Sequence, residues 1–498
     1  MNGDRAETHA ALLTSAAATR PDHVLLDWQG RAITTNQVYR QAQTLASGLR
    51  AAGVQTGDAV ALMLDNHPDH VALIFALALS GAVWVPLNPK LKGPAIRHII
   101  QVTDPVLGVA DGDYADSIRE TGFSRPVLTL ADLTATASDT TPPAGDGLTG
   151  ESTRTILFTS GTTGAPKGVI VTERMLLSAS RFATMASGAE PGHRFHFWEP
   201  LIHVGGAQML ALALEQQATL VMVPRFSASR FWDEVREGRV NRAHYLGGVL
   251  DILLKLPASS QDRNHGLELA FGAGARPEVD TAFRERFGVR LVEVYGMTEA
   301  SSFSTINHDG VAGSIGKAAP GISITLRDPE GGAVPNGERG EIILRTEPAT
   351  LMTPGYLGNP DATAELLQPD GLHTGDIAWR DDDGNYFFSG RSKDMIRHKG
   401  ENVSAWEVER VLNDHPDIAE SAVIGVPGAL GEEDIMAFLL PVAGTTLDPG
   451  ELKTWCTDRL AAFQMPRYIQ RVKAFDRTPS ERIKKAGLPR DTDGAEIF

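Results

Sequence analysis

The 498-residue sequence holds a single cysteine, Cys456, which excludes an internal disulfide and any zinc cluster built from cysteines, and fits a reducing compartment. Positive charge is scarce too. Lys and Arg number 46 against 62 Asp and Glu, a net charge of -16, so the basic face that neutralises nucleic-acid phosphates is not expected. No apolar run is long enough for a membrane span: residues 71–87 are broken by Ser80, Gly81 and Pro86, whereas a span needs about 20 predominantly apolar residues. A buried helix running into a strand is the expectation for that stretch. The first residues scatter both charges among alanines, with no apolar core behind positive charge, so no signal peptide is expected and the protein is placed in the cytoplasm.

What remains is an ordinary globular composition, 42% apolar and 22% charged, in a chain too long for one core, so two or more domains are expected. Alanine-rich helical periods alternate with short Val/Ile/Leu runs (LASGLRAAG then AVALML; DHVALIFALAL then AVWVPL), the signature of α/β layering with parallel strands. Residues 134–152, rich in Thr, Pro, Gly and Asp, read as a surface linker. From residue 327 to 391 the pattern changes to short strands with Gly/Asn turns. After Arg391 the sequence predicts a small domain: a helix over 405–414, strands over 419–426 and 435–442, and a helix over 449–459.

Residues 159–168 read TSGTTGAPKG and follow a strand-like TILF. Glycines let successive backbone N–H groups turn toward one anion, the hydroxyls of Thr159, Ser160, Thr162 and Thr163 add donors between Gly161 and Gly164, and Lys167 adds a point charge. The loop is not a Walker type, because Pro166 precedes the lysine and Gly168 follows it. Taken alone, an ordinary Ser/Thr/Gly turn has the same composition.

Three further blocks come later in the chain: VEVYGMTEA (292–300), HTGD (373–376) and GRSKDMIRHKGENVSAWEVE (390–409). In this order and at these separations the set resembles the adenylate-forming superfamily of acyl-CoA synthetases, peptide-synthetase adenylation domains and luciferases. The resemblance covers nearly the whole chain. It implies an α/β fold, with a large multi-subdomain N-terminal domain of parallel-rich sheets (1–391) and a small mobile α+β lid (392–498) hinged near Lys393. The implied reaction joins a carboxylate to the α-phosphate of ATP, and the implied cofactors are ATP and Mg2+, with CoA as an acceptor. By resemblance Thr159, Ser160, Gly161, Thr162, Thr163, Gly164 and Lys167 hold the β- and γ-phosphates; Tyr295 stacks on adenine, Thr298 contacts phosphate and Glu299 binds Mg2+. Asp376 accepts the ribose hydroxyls, with Arg391 as its partner. In FGAGARP (271–277), Gly274 and Ala275 match a turn that passes along the adenine and the acyl pocket, with a departure at Ala273.

WEPLIHVGG (198–206) resembles the block whose histidine, here His203, lies beside the substrate carboxylate. Glu199 departs from the apolar residue that relatives carry there. It suits a polar substrate group or the deprotonation of an incoming amine, or else faces solvent or pairs with an arginine. The largest departure is terminal: RTPSERIKKAGL (477–488) places Arg482 where relatives have a lysine that contacts the carboxylate and α-phosphate. In an extended segment Lys484 projects to the same side as Arg482 and Lys485 to the other, so Lys484 is the expected working cation and Arg482 the second choice.

CoA is ranked ahead of an amine as acyl acceptor. HKGENVSAWEVE resembles the loop of acyl-CoA ligases that flanks the pantetheine tunnel, and Arg467, Arg471 and Lys473 are candidate phosphate contacts. An amine draws on Glu199 and the altered terminal motif; oxygen draws on nothing. No carrier or reductase domain is expected after the lid. Gly205, Gly206, Ala207 and the small residues at 272–275 leave room for a flat or bulky acid, so an aryl or heteroaryl acid is expected, with medium aliphatic acids next. A non-catalytic nucleotide binder is the remote alternative, and the joint presence of Lys167, Glu299, Asp376 and Arg391 speaks against it. The expected assembly is a monomer or homodimer, without nucleic acid or membrane.

Overall fold

The run from Pro68 to Ser80 is apolar on all sides, so it has no face to offer water and forms a helix buried from His70 to Leu79. Pro68 opens it and Gly81, at φ 67°, closes it, after which the strand Val83–Pro86 is buried at every position. This is the expected helix running into a strand. The computed structural model describes residues 6–91, 93–138, 147–159, 166–398, 401–428, 433–477 and 482–498. Among them no helix is long and apolar enough to cross a membrane.

Internal packing divides the chain into two units. The larger takes residues up to Thr159, the stretch as far as Ser323, and Leu344–Leu372; the smaller takes Ile324–Ile343 and His373–Phe498. In the larger unit, one sheet runs in the order Val127–Leu128, Leu107–Ala110, Ala59–Met63, Val83–Pro86, Thr153–Thr159, Lys167–Thr172. All its pairs are parallel except the final hairpin. The second sheet places Leu269–Ala273 between Arg242–Leu246 and Arg290–Met297, all parallel, and turns antiparallel at both of its ends. Parallel strands buried on both faces leave their carboxyl ends as the place where loops gather, and ligands bind such sheets there.

The smaller unit contains most of a five-stranded sheet of Ile322–Arg327, Gly340–Thr346, Gly371–Arg380, Leu367–Gln368 and Tyr386–Arg391. It also contains a second sheet of Ile418–Pro427, Glu433–Pro441, Tyr468–Arg471 and Glu496–Ile497, whose core includes the helices Ala405–Asn413 and Pro449–Thr457. The sequence-based division at 391/392 falls inside this unit. Within it, Ser404 Oγ donates to Ser389 O at 2.6 Å and Phe388 meets Trp406 edge-on at 5.7 Å. Arg339 adds an ion pair with Glu407.

Candidate active site

The glycine-rich loop is the connection of an antiparallel hairpin: Thr159 pairs with Lys167 and Phe158 with Gly168. Gly168 has no room for a side chain, since a Cβ would lie 2.9 Å from Ile156 Cγ2 and 3.0 Å from the Phe158 ring. The expected phosphate donors Ser160, Gly161, Thr162, Thr163 and Gly164 lie outside the described residues. Thr159 and Lys167, which bracket them, are described and partly buried.

Lys167 does not stand alone. The segment around Tyr356 runs along the hairpin's outer strand, with Ile170 N donating to Gly355 O at 3.1 Å and Leu357 N to Gly168 O at 2.8 Å. That register sets the Tyr356 ring 5.0 Å from Lys167 Nζ and lets its hydroxyl donate to Glu299 Oε1 at 2.9 Å. Burial and the adjacent Glu299 carboxylate push the Tyr356 hydroxyl well up, so it stays a donor. Glu299 is buried in the 3-10 helix Thr298–Ala300 at the end of the strand Arg290–Met297, and its carbonyl accepts from Thr353 N at 2.8 Å. Lys167, Tyr356 and Glu299 are thus brought together from three distant stretches. Tyr356 went unnoticed in the sequence; its only signal is a tyrosine between glycines in the loop-like PGYLGNP.

Thr298 and Glu299 are aimed by an unusual turn. Ser301 and Ser302 both have positive φ, 55° and 72°, a conformation that costs a non-glycine residue of order 1–3 kcal/mol and persists where surroundings impose it. Just before, Gly296 passes so close to the next strand that a Cβ would lie 1.6 Å from Ser302 O. Tyr295, beside it, is buried and paired with Thr305.

The turn at 272–275 is held by Glu293, a residue inside the VEVYGMTEA block to which the resemblance gives no role. Glu293 accepts hydrogen bonds from Gly274 N, from Ala275 N and from the Tyr245 hydroxyl. Burial pushes its carboxyl up to about 7, against the pull of those three bonds. Glycines do the rest: a Cβ at Gly272 would meet Tyr245 O at 1.9 Å, and one at Gly247 would meet Gly274 O at 2.2 Å. The backbone expected to line the acid and adenine is therefore fixed by contacts along its length.

His203 is partly buried at the N-cap of the helix Val204–Gln216, behind a turn where a Cβ on Gly206 would strike Pro200 O at 2.4 Å. Glu199 neither faces solvent nor pairs with an arginine. It is 3% exposed; Oε2 accepts from Trp198 N at 3.0 Å, and Oε1 stands 3.1 Å from His244 Nδ1 without hydrogen-bond alignment. His244, on the strand Arg242–Leu246, is itself buried. Sequence reading missed it because the contact joins a strand to a bend far away in the chain.

In the smaller unit Asp376 and Arg391 occupy partner positions of adjacent antiparallel strands, with Nε and Oδ1 3.1 Å apart. The HTGD segment, inside the strand Gly371–Arg380, is shaped by Gly375 at φ 69° and by Glu341, which accepts from Gly375 N at 2.9 Å and faces His373 at 3.2 Å. Lys393 lies in the 3-10 helix Ser392–Asp394. At the terminal segment Arg477 and Ile483 form a bridge, and Lys484 N donates to Asp476 O at 2.8 Å. Lys485 is turned inward, 2.7 Å from Glu409 and 3.6 Å from Asp394, whereas Lys484 and Arg482 are exposed. Of the candidate CoA contacts, Arg467 pairs with Asp434 at 2.8 Å, Arg471 pairs with Glu496 at 2.7 Å, and Lys473 is exposed.

Comparison with known proteins agrees with this architecture. The AMP-binding enzyme family matches residues 13–357 and the AMP-binding enzyme C-terminal domain matches 407–482. Among named relatives, the crotonobetaine/carnitine–CoA ligase of Salmonella typhi is 33% identical over 463 residues, covering 88% of this chain and 89% of the relative. Among solved structures, ATP-bound MatB from Rhodopseudomonas palustris superposes with a TM-score of 0.87 at 26% identity, over 96% of this chain and 97% of that one. The o-succinylbenzoate CoA synthetase of Bacillus subtilis, in complex with its acyl-adenylate intermediate, shares the fold at a TM-score of 0.88 and 24% identity, over 98% and 99%.

Proposed function

The chain belongs to the AMP-binding enzyme family, and from that premise we propose that it activates an aryl or heteroaryl carboxylic acid as its acyl-AMP and passes the acyl group to coenzyme A. The observation that carries the reading is the corner formed by Lys167, Tyr356 and Glu299 at the mouth of the glycine-rich hairpin. It sets a cation and a buried carboxylate at the place where a polyphosphate and its counter-ion would be held.

In the first step a carboxylate oxygen bonds to the α-phosphorus of ATP as the bond to pyrophosphate breaks; no proton moves. Two anions must approach, so the site's work is neutralisation and alignment. Thr159, Ser160, Thr162, Thr163 and Lys167 hold the β- and γ-phosphates in this reading, Thr298 contacts phosphate, and Tyr295, Gly274 and Ala275 flank the adenine. Asp376 and Arg391 take the ribose; Lys484, or Arg482 in its place, supplies the last cation. Among the described residues no three His, Cys, Asp or Glu side chains gather as a metal cage. One buried carboxylate, Glu299, is the donor set that suits Mg2+ when substrate oxygens and water complete its shell. When bound, the ion neutralises phosphate charge.

In the second step the CoA sulfur, having lost its proton, bonds to the acyl carbon and AMP leaves. The crotonobetaine/carnitine–CoA ligase relative favours CoA over an amine. The amine reading drew on Glu199 as a base, and that carboxylate is buried, with Oε2 accepting from Trp198 N. The division at 391/392 with a hinge near Lys393 belongs to this proposal, and so does the cytoplasmic location, which suits a chain with one cysteine. Mass spectrometry of products from ATP, Mg2+ and a mixed acid library, with CoA and amines supplied separately, tests it. The expected products are AMP, pyrophosphate and an aryl-CoA; ATP binding without pyrophosphate release on any acid would overturn the reading.

A further inference from the structure

We infer that Glu199 and His244 form the part of the acid site that selects the substrate's substituent, favouring acids that carry a hydrogen-bond donor (an amino, hydroxyl, ring N–H or ammonium group). This rests on the reading that residues 203–206 and 272–275 border the bound acid, and it deepens that reading from the class of acid to the chemistry of its ring.

The argument begins with cost. A carboxyl and an imidazole, 3% and 8% exposed, are removed from water, the imidazole beside Phe271 and Phe303. Such groups are retained when partners satisfy them, and here satisfaction is incomplete. Glu199 Oε2 is taken by Trp198 N, while Oε1 and His244 Nδ1 stand 3.1 Å apart and out of line, so each keeps hydrogen-bonding capacity unspent among the described residues. The main chain that carries the two side chains is nevertheless held at both positions. Asn66 Nδ2 donates to Glu199 O at 2.8 Å, and its Oδ1 accepts from Leu201 N at 3.1 Å. Trp198 Nε1 donates to His244 O at 3.0 Å. The imidazole meets the Phe271 ring at 5.1 Å and lies nearly parallel to Phe303 at 6.4 Å. A rigid polar spot between aromatic faces is what a flat acid with one donor would match.

There is also room beside it. Gly205 opens the helix next to His203, and a Cβ built on it would meet only His244 Cε1, at 3.9 Å. The position thus tolerates alanine sterically, yet carries none, and the space adjoins the imidazole edge. A donor on the acid would complete the bonding of Glu199 and His244, whereas an acid lacking it would leave them buried and unsatisfied. That asymmetry, rather than attraction alone, gives selectivity.

The test is pyrophosphate release by the full chain with matched acids: benzoate against 2-, 3- and 4-aminobenzoate, the hydroxybenzoates, and indole- and pyrrole-carboxylates. The expected wild-type result is a kcat/KM at least ~10-fold higher for the best donor-bearing acid than for its donor-free counterpart. Glu199→Gln and His244→Phe should bring that ratio toward 1, mainly through KM for the acid, while ATP binding by calorimetry reports that the fold survives. Gly205→Ala, which the backbone accommodates, should lower the ratio by crowding the donor's place. A ratio near 1 in the wild type, or one unmoved by Glu199→Gln and Gly205→Ala, overturns this inference and leaves adenylation standing. Absence of pyrophosphate release with every acid overturns both.

Discussion

Glu293 and Glu299 flank Tyr295 at the end of one strand, and each takes a hydrogen bond from a tyrosine hydroxyl, yet they are put to opposite uses. Glu293 is spent on the fold: Tyr245, Gly274 N and Ala275 N account for its carboxylate, which fixes a backbone turn. Glu299 receives Tyr356 from the side of Lys167 and sits in a strained turn beside the phosphate hairpin. The smaller unit repeats the contrast with adjacent lysines, Lys485 held by Glu409 and Lys484 left exposed. In each pair of like residues the fold engages the two differently, and we propose that Glu299 and Lys484 serve the ligand, so residue type alone does not separate structure from chemistry.

The sharpest way to break the comparison is Glu299→Gln, which keeps shape and removes charge. Pyrophosphate release should fall by on the order of 100- to 1000-fold, as for loss of a preorganised electrostatic group, while the melting temperature stays close to that of wild type. A variant with unaltered turnover across Mg2+ concentrations would place Glu299 with Glu293 as a structural carboxylate.

Next in size is the lysine pair. Lys484→Ala should lower adenylation about 10- to 100-fold, the scale of a lost charge-assisted contact, with stability retained. Lys485→Ala should act through folding. Burial raises the Glu409 carboxyl and Lys485 counters that rise, so its removal leaves the carboxylate held by Val423 N without a neighbouring cation, at a cost of ~1–3 kcal/mol. Chemical denaturation and adenylation rates on both variants separate the two roles. If Lys485→Ala kills activity at full stability, the assignments must be exchanged.

Much of the fold was legible and part of the site was not, for one physical reason. The helix and strands foreseen over 405–459 appear as Ala405–Asn413, Ile418–Pro427, Glu433–Pro441 and Pro449–Thr457, because their apolar periods and breakers are local. Lys167, Glu299 and Asp376 stood out because motif-length blocks carry them. Tyr356 and His244 lie outside those blocks, and Glu293, though inside VEVYGMTEA, has no role marked there; each acquires its role from partners on other elements, through sheet register or a loop laid on a strand edge. Glu199 shows the limit well: its departure from pattern was visible, and its histidine partner was not.

Glu293→Gln should have a smaller effect, visible in the pH dependence of stability. The folded-state value of about 7 lies above that of an unfolded glutamate, so the folded protein binds the extra proton. This contribution is complete below about pH 4.5 and is lost as pH rises through about 7, worth ~3 kcal/mol at most. Thermal melts of wild type from pH 5 to 8 should show that downward component, and the glutamine variant should lack it. An identical pH profile in the two proteins would mean that Glu293 is ionised throughout.

The mildest pair of changes addresses the tyrosines, which differ from phenylalanine by one hydroxyl. Tyr245 is 1% exposed, so Tyr245→Phe removes a donor that water does not replace and should cost ~1 kcal/mol of stability. Glu293 keeps its two backbone donors, so the turn should hold and turnover should change little. Tyr356→Phe retains the ring that lies beside Lys167 but removes the hydroxyl that donates to Glu299, and its effect should fall on turnover, several-fold, and on the Mg2+ concentration needed for half-maximal rate. If Tyr245→Phe shifts the Mg2+ requirement and Tyr356→Phe shifts only the melting temperature, the division of labour between the two glutamates is reversed.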